Sequence, residues 1–488
     1  MGEEGGDPRR WRALVVTLAA GFMTLLDVSI VNVALPSIRR GLHASPEGVQ
    51  WVVSGYALTF GLTLVAGGRF GDVLGRRRMF LIALSAFVVT SAAAGAAPDE
   101  VLLVVARLAQ GVAAGLLTPQ NTGLIQDMFR GAERGRAFGM FGSTVGLSTA
   151  AGPVIGGVIL SVFGEQTGWR WVFYVNVPIG LLALVFAARL VPGKDRSGRS
   201  LRGDIDYRGI ALLGLAVLGV LLPLVRSEGG GVPLLWLLVP VSVLFGWLFV
   251  RWERRRSRVR RPPLLDLRLF TRTPGYPPGI AIGTVYFCGF SGIWLVLSLF
   301  LQDGLGYSPL QSGLAVTPFA IGSAGTAIVA GRLVSRWRRR LTVTGLAMVA
   351  AGLGSAALLI YLVGPAHTGF VIAGPLLVAG IGGGAVISPN TTLTLECVPT
   401  RMSGAAGGAL QTGQRVGTAI GTAVLTAVFR LTESSTKDYP LSASVALAAS
   451  VGFMLVALVI AVLELRARRR RARGSGQDRE DAVAAMDG

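Results

Sequence analysis

The sequence predicts an all-α membrane protein that crosses the bilayer many times. Of its 488 residues, 52% are hydrophobic and only 15% are charged, and the mean hydropathy is +0.60. A soluble protein of this length needs a far more charged surface. The apolar residues also gather in repeated runs of about 20, the helix length that spans the hydrocarbon core of a membrane.

Fourteen such runs predict fourteen transmembrane helices. They cover residues 12–34, 49–69, 79–97, 100–121, 137–162, 170–190, 207–226, 232–251, 277–301, 310–332, 341–363, 370–394, 404–429 and 443–465. Only residues 227–231 separate the seventh run from the eighth, so this pair could instead form a hairpin that does not fully cross. Each of the two is about 20 residues long, which favours two crossings.

The basic residues predict the orientation of the chain. Most of the 46 lysines and arginines lie in loops on one side of the predicted spans, in clusters such as Arg76–Arg78 and residues 468–471. Basic loops stay in the cytoplasm, so both termini are predicted to be cytoplasmic, in a bacterial plasma membrane. The same clusters are expected to contact anionic lipid headgroups. Nucleic-acid binding would need these bases on one folded surface, and we do not predict it.

Other classes of function lack their sequence signals. The two cysteines have no paired spacing for a disulfide framework or a zinc site. Neither Lys194 nor Lys437 lies in the glycine-rich loop that an ATP-driven pump uses to hold phosphate. We therefore predict no metal, no cofactor and no enzymatic activity.

An internal repeat predicts two related bundles. Ser45-Pro46 recurs as Ser308-Pro309, and Gly68-Arg69 recurs as Gly331-Arg332, both 263 residues later. Such repeats are typical of transporters whose substrate cavity lies between the halves. The predicted organisation is a cytoplasmic N-terminus (1–11), a six-helix bundle (12–190), two inserted helices (207–251), a basic cytoplasmic linker (252–276), a second six-helix bundle (277–465) and a disordered cytoplasmic tail (466–488).

The loop from Gly68 to Arg78 resembles the signature loop of the major facilitator superfamily. The resemblance implies that fold, and it implies that Gly68, Asp72, Gly75 and Arg76 act as a conformational latch between the bundles. Asp72 precedes the third span, where a negative charge is favoured by the helix dipole.

The loop departs from the family pattern at two places. The usual arginine after the aspartate is Val73 in this chain. The second-half copy, Gly331 to Arg340, has Ser335 and Arg338 where the first copy has Asp72 and Gly75. These departures weaken the charge relay of the first copy and the latch function expected of the second.

Three further stretches resemble motifs of the fourteen-helix drug:H+ antiporters. They are residues 26–36 in the first span, residues 169–178 entering the sixth and residues 308–314 entering the tenth. The glycine- and proline-rich fifth span resembles the antiporter motif of the drug-exporting branch, through Gly146, Gly152, Pro153, Gly156 and Gly157. The alternative for this span is a simple helix-packing seam.

Asp27 and Arg107 are the predicted proton-coupling residues. Asp27 is the only acidic residue well inside a span, and buried charges in membranes are functional by default. Arg107 belongs to a fourth-span motif that the family resemblance links to proton coupling. Both residues lie at a similar depth, so we expect them to face each other, with burial disfavouring the carboxylate and the arginine favouring it. The alternative is a permanent structural ion pair.

The substrate cavity is predicted from polar residues inside the spans. The candidates are Asn32, Gln120, Asn121, Gln411, Gln414 and Arg415. Arg415 has no acidic partner at a matching depth, which favours neutral, zwitterionic or anionic substrates over dications. Apolar contacts could come from Phe22, Tyr286, Phe290 and Trp294, although each could equally face lipid.

Together these features predict a monomeric, proton-driven exporter of small hydrophobic drugs or antibiotics. One alternative is an exporter of a lipid or envelope metabolite. Another is a nutrient:H+ uptake symporter, which the fifth-span motif argues against.

Overall fold

The computed structural model describes residues 9–164, 166–193, 205–227, 233–259, 262–363 and 368–484. All regular secondary structure within these ranges is helical. Twelve of the described helical segments are long and apolar enough to cross a membrane. In lipid every backbone polar group needs an internal partner, and helices satisfy that requirement within one segment.

The described residues of the first half form seven helices. They are α1 (Arg9–Leu42), α2 (Pro46–Leu74), α3 (Arg76–Ala96), α4 (Glu100–Met128), α5 (Gly131–Phe163), α6 (Gly168–Tyr174) and α7 (Asn176–Leu190). The last two together form one span. A single residue, Gly75, connects α2 to α3. Its φ is 94°, a backbone conformation that residues with a Cβ rarely adopt.

The inserted pair and the second half follow. The helices are α8 (Tyr207–Ser227), α9 (Leu238–Arg258), α10 (Arg268–Arg272), α11 (Tyr276–Leu299), α12 (Pro309–Trp337), α13 (Arg339–Leu362), α14 (Thr368–Val371), α15 (Ala373–Thr394), α16 (Ser403–Thr436) and α17 (Tyr439–Ala484). Helix α17 continues through most of the tail that we predicted to be disordered. Residues 466–473 are all alanine or arginine, which have high helix propensity, although the Gly474-Ser475-Gly476 that follows does not.

Helices α5 and α16 cover the fifth and thirteenth predicted spans. They are 33 and 34 residues long, but neither counts among the twelve apolar spans. Polar side chains such as Gln411, Gln414 and Arg415 lower the hydropathy of α16. The fold is therefore an all-helical bundle with twelve apolar spans, and fourteen crossings remain a prediction.

The two halves contact each other along two seams. One seam lies between α2 and α16, and the other lies between α5 and α12. The inserted helix α8 packs on both sides of the α2–α16 seam, where its Val217 and Leu221 join Leu58 of α2 and Val416 of α16. The inserted pair is therefore fixed against both halves.

The 263-residue repeat reappears in the contacts. At the start of α3, Arg76 Nη1 lies 2.7 Å from Asp127 Oδ2 at the end of α4. At the start of α13, Arg339 Nη1 donates a 2.6 Å hydrogen bond to Asn390 Oδ1 in α15. Each second-half residue is 263 positions after its first-half counterpart. Arg338, the counterpart of Gly75, also has a positive φ, of 47°.

Arg339 is fully buried and needs a counter-charge, which Glu464 of α17 supplies through an ion pair. We expect Glu464→Ala to destabilise the detergent-solubilised protein by about 3–5 kcal/mol, because it leaves a buried arginine uncompensated. The measurement is the thermal unfolding midpoint. The double variant Arg339→Met/Glu464→Leu should recover most of the loss, and an equal loss in both variants would contradict this account.

Candidate functional site

The carboxylate of Asp27 is the centre of a buried polar cluster. Asp27 is completely buried in α1, and Arg107 of α4 lies with its Nη1 2.6 Å from Oδ2. The other oxygen, Oδ1, accepts hydrogen bonds from Gln110 Nε2 at 3.0 Å and Asn176 Nδ2 at 2.8 Å. An ionised carboxylate accepts hydrogen bonds only, so these donors from α4 and α7 satisfy the charged form.

Arg107 is held on every side. Its Nε donates to the carbonyl oxygen of Val52 at 3.0 Å, and its Nη1 also donates to Gln110 Oε1 at 2.8 Å. The guanidinium lies 4.2 Å from the ring centroid of Tyr56 in α2. A cation over an aromatic face in a desolvated site is stabilised by roughly 2 kcal/mol. The charge pair is therefore anchored to α1, α2, α4 and α7 together.

The matching depths of Asp27 and Arg107 predict their pairing, but depth alone does not predict two further members of the cluster. Gln110 lies three residues after Arg107, and Asn176 lies in the stretch entering the sixth span. Both could have been identified as buried amides on the same faces as the charges. Asn176 also donates to Ser91 Oγ at 3.1 Å, which ties α3 to the cluster.

The fifth-span motif lies against the helix that carries Asp27. A Cβ at Gly152 would overlap the side chain of Ser29, two residues from Asp27, and one at Gly156 would lie 3.1 Å from Ile30. Gly146 instead faces Ala324 of α12, across the seam between the halves. A Cβ at Gly157 would meet nothing within 4 Å. The Pro153 side chain lies outside the described part of the chain.

Helix α5 therefore contacts both the other half and α1, the helix that carries Asp27. On the other half, Ser143 Oγ donates to the carbonyl oxygen of Ala324 at 2.7 Å. Close glycine-mediated packing transmits small displacements between helices, because packed interfaces do not deform continuously.

The residues of the signature loop join the two halves. Asp72 is in the last turn of α2, and its carboxylate accepts hydrogen bonds from the backbone N–H groups of Gly404 at 3.1 Å and Ala405 at 3.0 Å. These groups belong to the first turn of α16, so Asp72 caps a helix of the other half. The negative charge of Asp72 is therefore stabilised by the N-terminus of α16. The sequence had predicted that the N-terminus of α3 would stabilise it.

Arg76 adds further contacts between the two halves. It lies 3.1 Å from Asp72 and donates to the carbonyl oxygen of Thr400 at 2.6 Å and to the hydroxyl of Ser403, both in the second half. Gly68 is in direct contact with the backbone of Gly404. We call the end of the bundle that carries these contacts the Arg76 end.

The second seam closes at the same end. A Cβ at Gly331 of α12 would lie 2.6 Å from the carbonyl oxygen of Gly135 in α5. Gly331 is the repeat counterpart of Gly68, so equivalent glycines let each half approach the other. In this conformation the halves are joined at the Arg76 end by backbone-to-backbone contacts.

The predicted cavity residues have different surroundings. Gln120 is fully buried within the first half, where its Nε2 donates to the carbonyl oxygens of Gly67 and Leu116 at 2.8 Å. Asn121 faces α1 near Gly21, and neither of its amide atoms has a partner. Asn32 is exposed.

On the second half, both amide atoms of Gln411 are buried without a partner. Gln414 lies near Gly283 of α11. Among the described residues, no three histidine, cysteine, aspartate or glutamate side chains lie close enough to hold a metal ion.

Three of the four predicted aromatic residues form a cluster on α11. Tyr286 stacks on Phe290 with ring centroids 5.4 Å apart, and Phe290 meets Trp294 edge-on at 5.5 Å. Phe319 of α12 closes the cluster at 4.8 Å from Trp294. Tyr286 Oη and Trp294 Nε1 are buried without a partner, so this aromatic surface retains two unused hydrogen-bond donors.

Comparisons with known proteins identify relatives over most of the chain. The model of the Major Facilitator Superfamily matches residues 17–422. The "Probable actinorhodin transporter" of Streptomyces coelicolor is 36% identical over 85% of this chain and 72% of its own length. "Puromycin resistance protein pur8" of Streptomyces alboniger is 36% identical over 85% and 80%. "Cephamycin export protein CmcT" of Amycolatopsis lactamdurans is 34% identical over 92% and 91%.

Solved structures share the fold at much lower identity. The human organic anion transporter MFSD10 superposes with a TM-score of 0.67 at 16% identity, covering 93% of this chain and 100% of its own. The proton:xylose symporter XylE gives a TM-score of 0.65 at 14% identity, covering 92% and 94%.

Proposed function

We propose that this chain, which belongs to the Major Facilitator Superfamily, exports small antibiotic-like molecules across a bacterial plasma membrane in exchange for protons. The superfamily consists of transporters, not enzymes. Relatives at 31–36% identity are named as antibiotic or multidrug export and resistance proteins, or as uncharacterised transporters. The observation that carries proton coupling is the buried Asp27 carboxylate, held by Arg107, Gln110 and Asn176.

We further assign the chain to the fourteen-helix drug:H+ antiporters. Helices α5 and α16, at 33 and 34 residues, are long enough to cross the membrane in addition to the twelve apolar spans. The arrangement is then two six-helix bundles with α8 and α9 as an inserted pair. The chain acts as a monomer, because the two halves pack against each other within one chain.

The Arg76 end faces the cytoplasm in this proposal. It carries the basic loops, and both termini lie on the same side as these loops. With the halves joined at that end, the cavity between them opens outward. Alternating access then requires breaking the Asp72 cap on α16, while α5 passes the movement to α1 and Asp27.

One proton supplies enough energy for export. The membrane potential contributes about 2.3 kcal/mol per 100 mV, and the pH difference contributes about 1.4 kcal/mol per unit. A total near 4 kcal/mol supports about a thousandfold gradient of a neutral substrate.

A second candidate is an exporter of lipid-dissolved metabolites that enter sideways. Helix α8 covers the α2–α16 seam, whereas the helices of the other seam carry exposed apolar side chains, such as Val158 on α5 and Ile321 on α12. A molecule dissolved in the bilayer could reach the cavity from that side. A nutrient symporter has no comparable observation in its favour.

The test uses everted membrane vesicles made acid inside by respiration. We expect antibiotics that are substrates to collapse the pH gradient, reported by a pH-sensitive dye, only in vesicles that contain the protein. Vesicles without it provide the baseline. No response to a panel of cationic, neutral and anionic antibiotics, with folded protein present, would contradict drug:H+ antiport. A response to long-chain lipids alone would favour the second candidate.

A further inference from the structure

Arg415, which is half-buried, differs from the buried arginines of the described chain in having no carboxylate partner. Arg76 pairs with Asp72 and Asp127, Arg107 with Asp27, and Arg339 with Glu464. No described acidic group lies within 4 Å of Arg415. A charge inside a membrane protein is costly without a counter-ion.

The guanidinium of Arg415 lies in the seam between α2 and α16. It lies 4.3 Å from the ring centroid of Phe60 in α2. The residue is half-buried, so part of it remains accessible to a ligand. The inserted helix α8 packs beside the base of this side chain, because a Cβ at Gly61 would lie 3.0 Å from Leu221 of α8 and 3.9 Å from the Cβ of Arg415.

A second unpartnered group lies on the same helix face. Gln411 is four residues before Arg415, the spacing that places two side chains one above the other on a helix. Only 9% of Gln411 is exposed, and neither its amide nitrogen nor its amide oxygen has a hydrogen-bond partner. Buried polar groups in native proteins are almost always satisfied, so this amide lacks a partner that the functioning protein supplies.

The site is also close to the proton-coupling cluster. The ring of Phe60 is 5.9 Å from the ring of Tyr56, and Tyr56 carries the guanidinium of Arg107 at 4.2 Å. Two aromatic rings therefore separate Arg415 from the Asp27–Arg107 pair. An occupant of the Arg415 site would lie within the region that must rearrange during transport.

We infer that Arg415 and Gln411 bind the acidic group of the transported substrate, so the exporter prefers organic anions: a carboxylate or phenolate on an apolar body. The inference rests on the proposed export function. The guanidinium supplies a bidentate donor pair to the anion, and the amide of Gln411 adds a further donor. The ring of Phe60 covers one face of the guanidinium.

The test compares two forms of one compound, fusidate and its uncharged methyl ester, as substrates of everted vesicles. We expect wild-type protein to take up fusidate with the lower KM. Arg415→Gln should raise the KM for fusidate by about tenfold or more, because hydrogen bonds to charged groups contribute about 1.5–3 kcal/mol. It should leave the KM for the ester nearly unchanged, and Arg415→Lys should retain part of the preference.

The outcomes separate the two proposals. If wild-type protein moves neither compound nor any other antibiotic, the export function itself fails. If it moves the ester as well as fusidate, or if Arg415→Gln affects both compounds equally, the anion site is wrong and the export function stands. Gel filtration shows whether Arg415→Gln is folded. If Arg415→Gln does not fold, the KM values of Arg415→Lys for fusidate and its ester test the anion site instead.

Discussion

Asp27→Asn is expected to abolish proton-driven uptake into everted vesicles while substrate exchange continues. The carboxylate is the only acidic group in the described Asp27 cluster, so its amide analogue cannot carry a proton through the cycle. Exchange of labelled for unlabelled substrate needs alternating access but no net proton movement. Uptake driven by the pH gradient should fall to the level of empty vesicles, and exchange should stay within about threefold of wild type.

The single substitution has a foreseeable side effect. An asparagine leaves Arg107 without its counter-charge in a buried site, which costs about 3–5 kcal/mol. The double variant Asp27→Asn/Arg107→Gln removes both charges, so it should be more stable than Asp27→Asn and equally unable to use the pH gradient. Full pH-driven uptake by either folded variant would reduce the pair to a structural ion pair.

The sequence predicts which side chains lie at the same depth in the membrane, so contacts that depend only on depth were predictable. Asp27 and Arg107 could be paired because their distances from the helix ends match. The roles of Gln110 and Asn176 depend on which way each helix is rotated, and the sequence constrains rotation only weakly when most residues are apolar. Gln120 illustrates the same limit, because its amide bonds to backbone of its own half and not to the cavity.

Contacts between the halves were the hardest to foresee. The family resemblance predicts that Asp72 belongs to a latch, and its position in the chain predicts that its charge interacts with the next helix, α3. Its hydrogen bonds instead go to Gly404 and Ala405, more than 300 residues away. The repeat, by contrast, was readable from two dipeptides, because both halves keep a serine-proline helix start and a glycine at the same seam position.

The second large effect is expected for Gly68→Ala, because Gly68 lies where the two halves are in backbone contact. A Cβ there would overlap the backbone of Gly404, which cannot move aside as a flexible side chain would. Overpacking of this kind costs about 1–3 kcal/mol, and it acts only on the conformation in which the Arg76 end is closed. The closed population should therefore fall by about five- to a hundredfold in Gly68→Ala.

Transport and distance measurements together test this expectation. Gly452→Ala in α17 makes the same chemical change outside the motifs and seams, where a Cβ meets nothing within 4 Å, so it should transport like wild type. Spin labels on the exposed native Cys397 and on Arg78→Cys would span the latch, with buried Cys288 replaced by alanine in every variant. Gly68→Ala should slow transport and lengthen that distance, whereas Gly452→Ala should do neither. Normal transport by Gly68→Ala with an unchanged distance would mean that the contact at Gly404 is not part of the transport cycle.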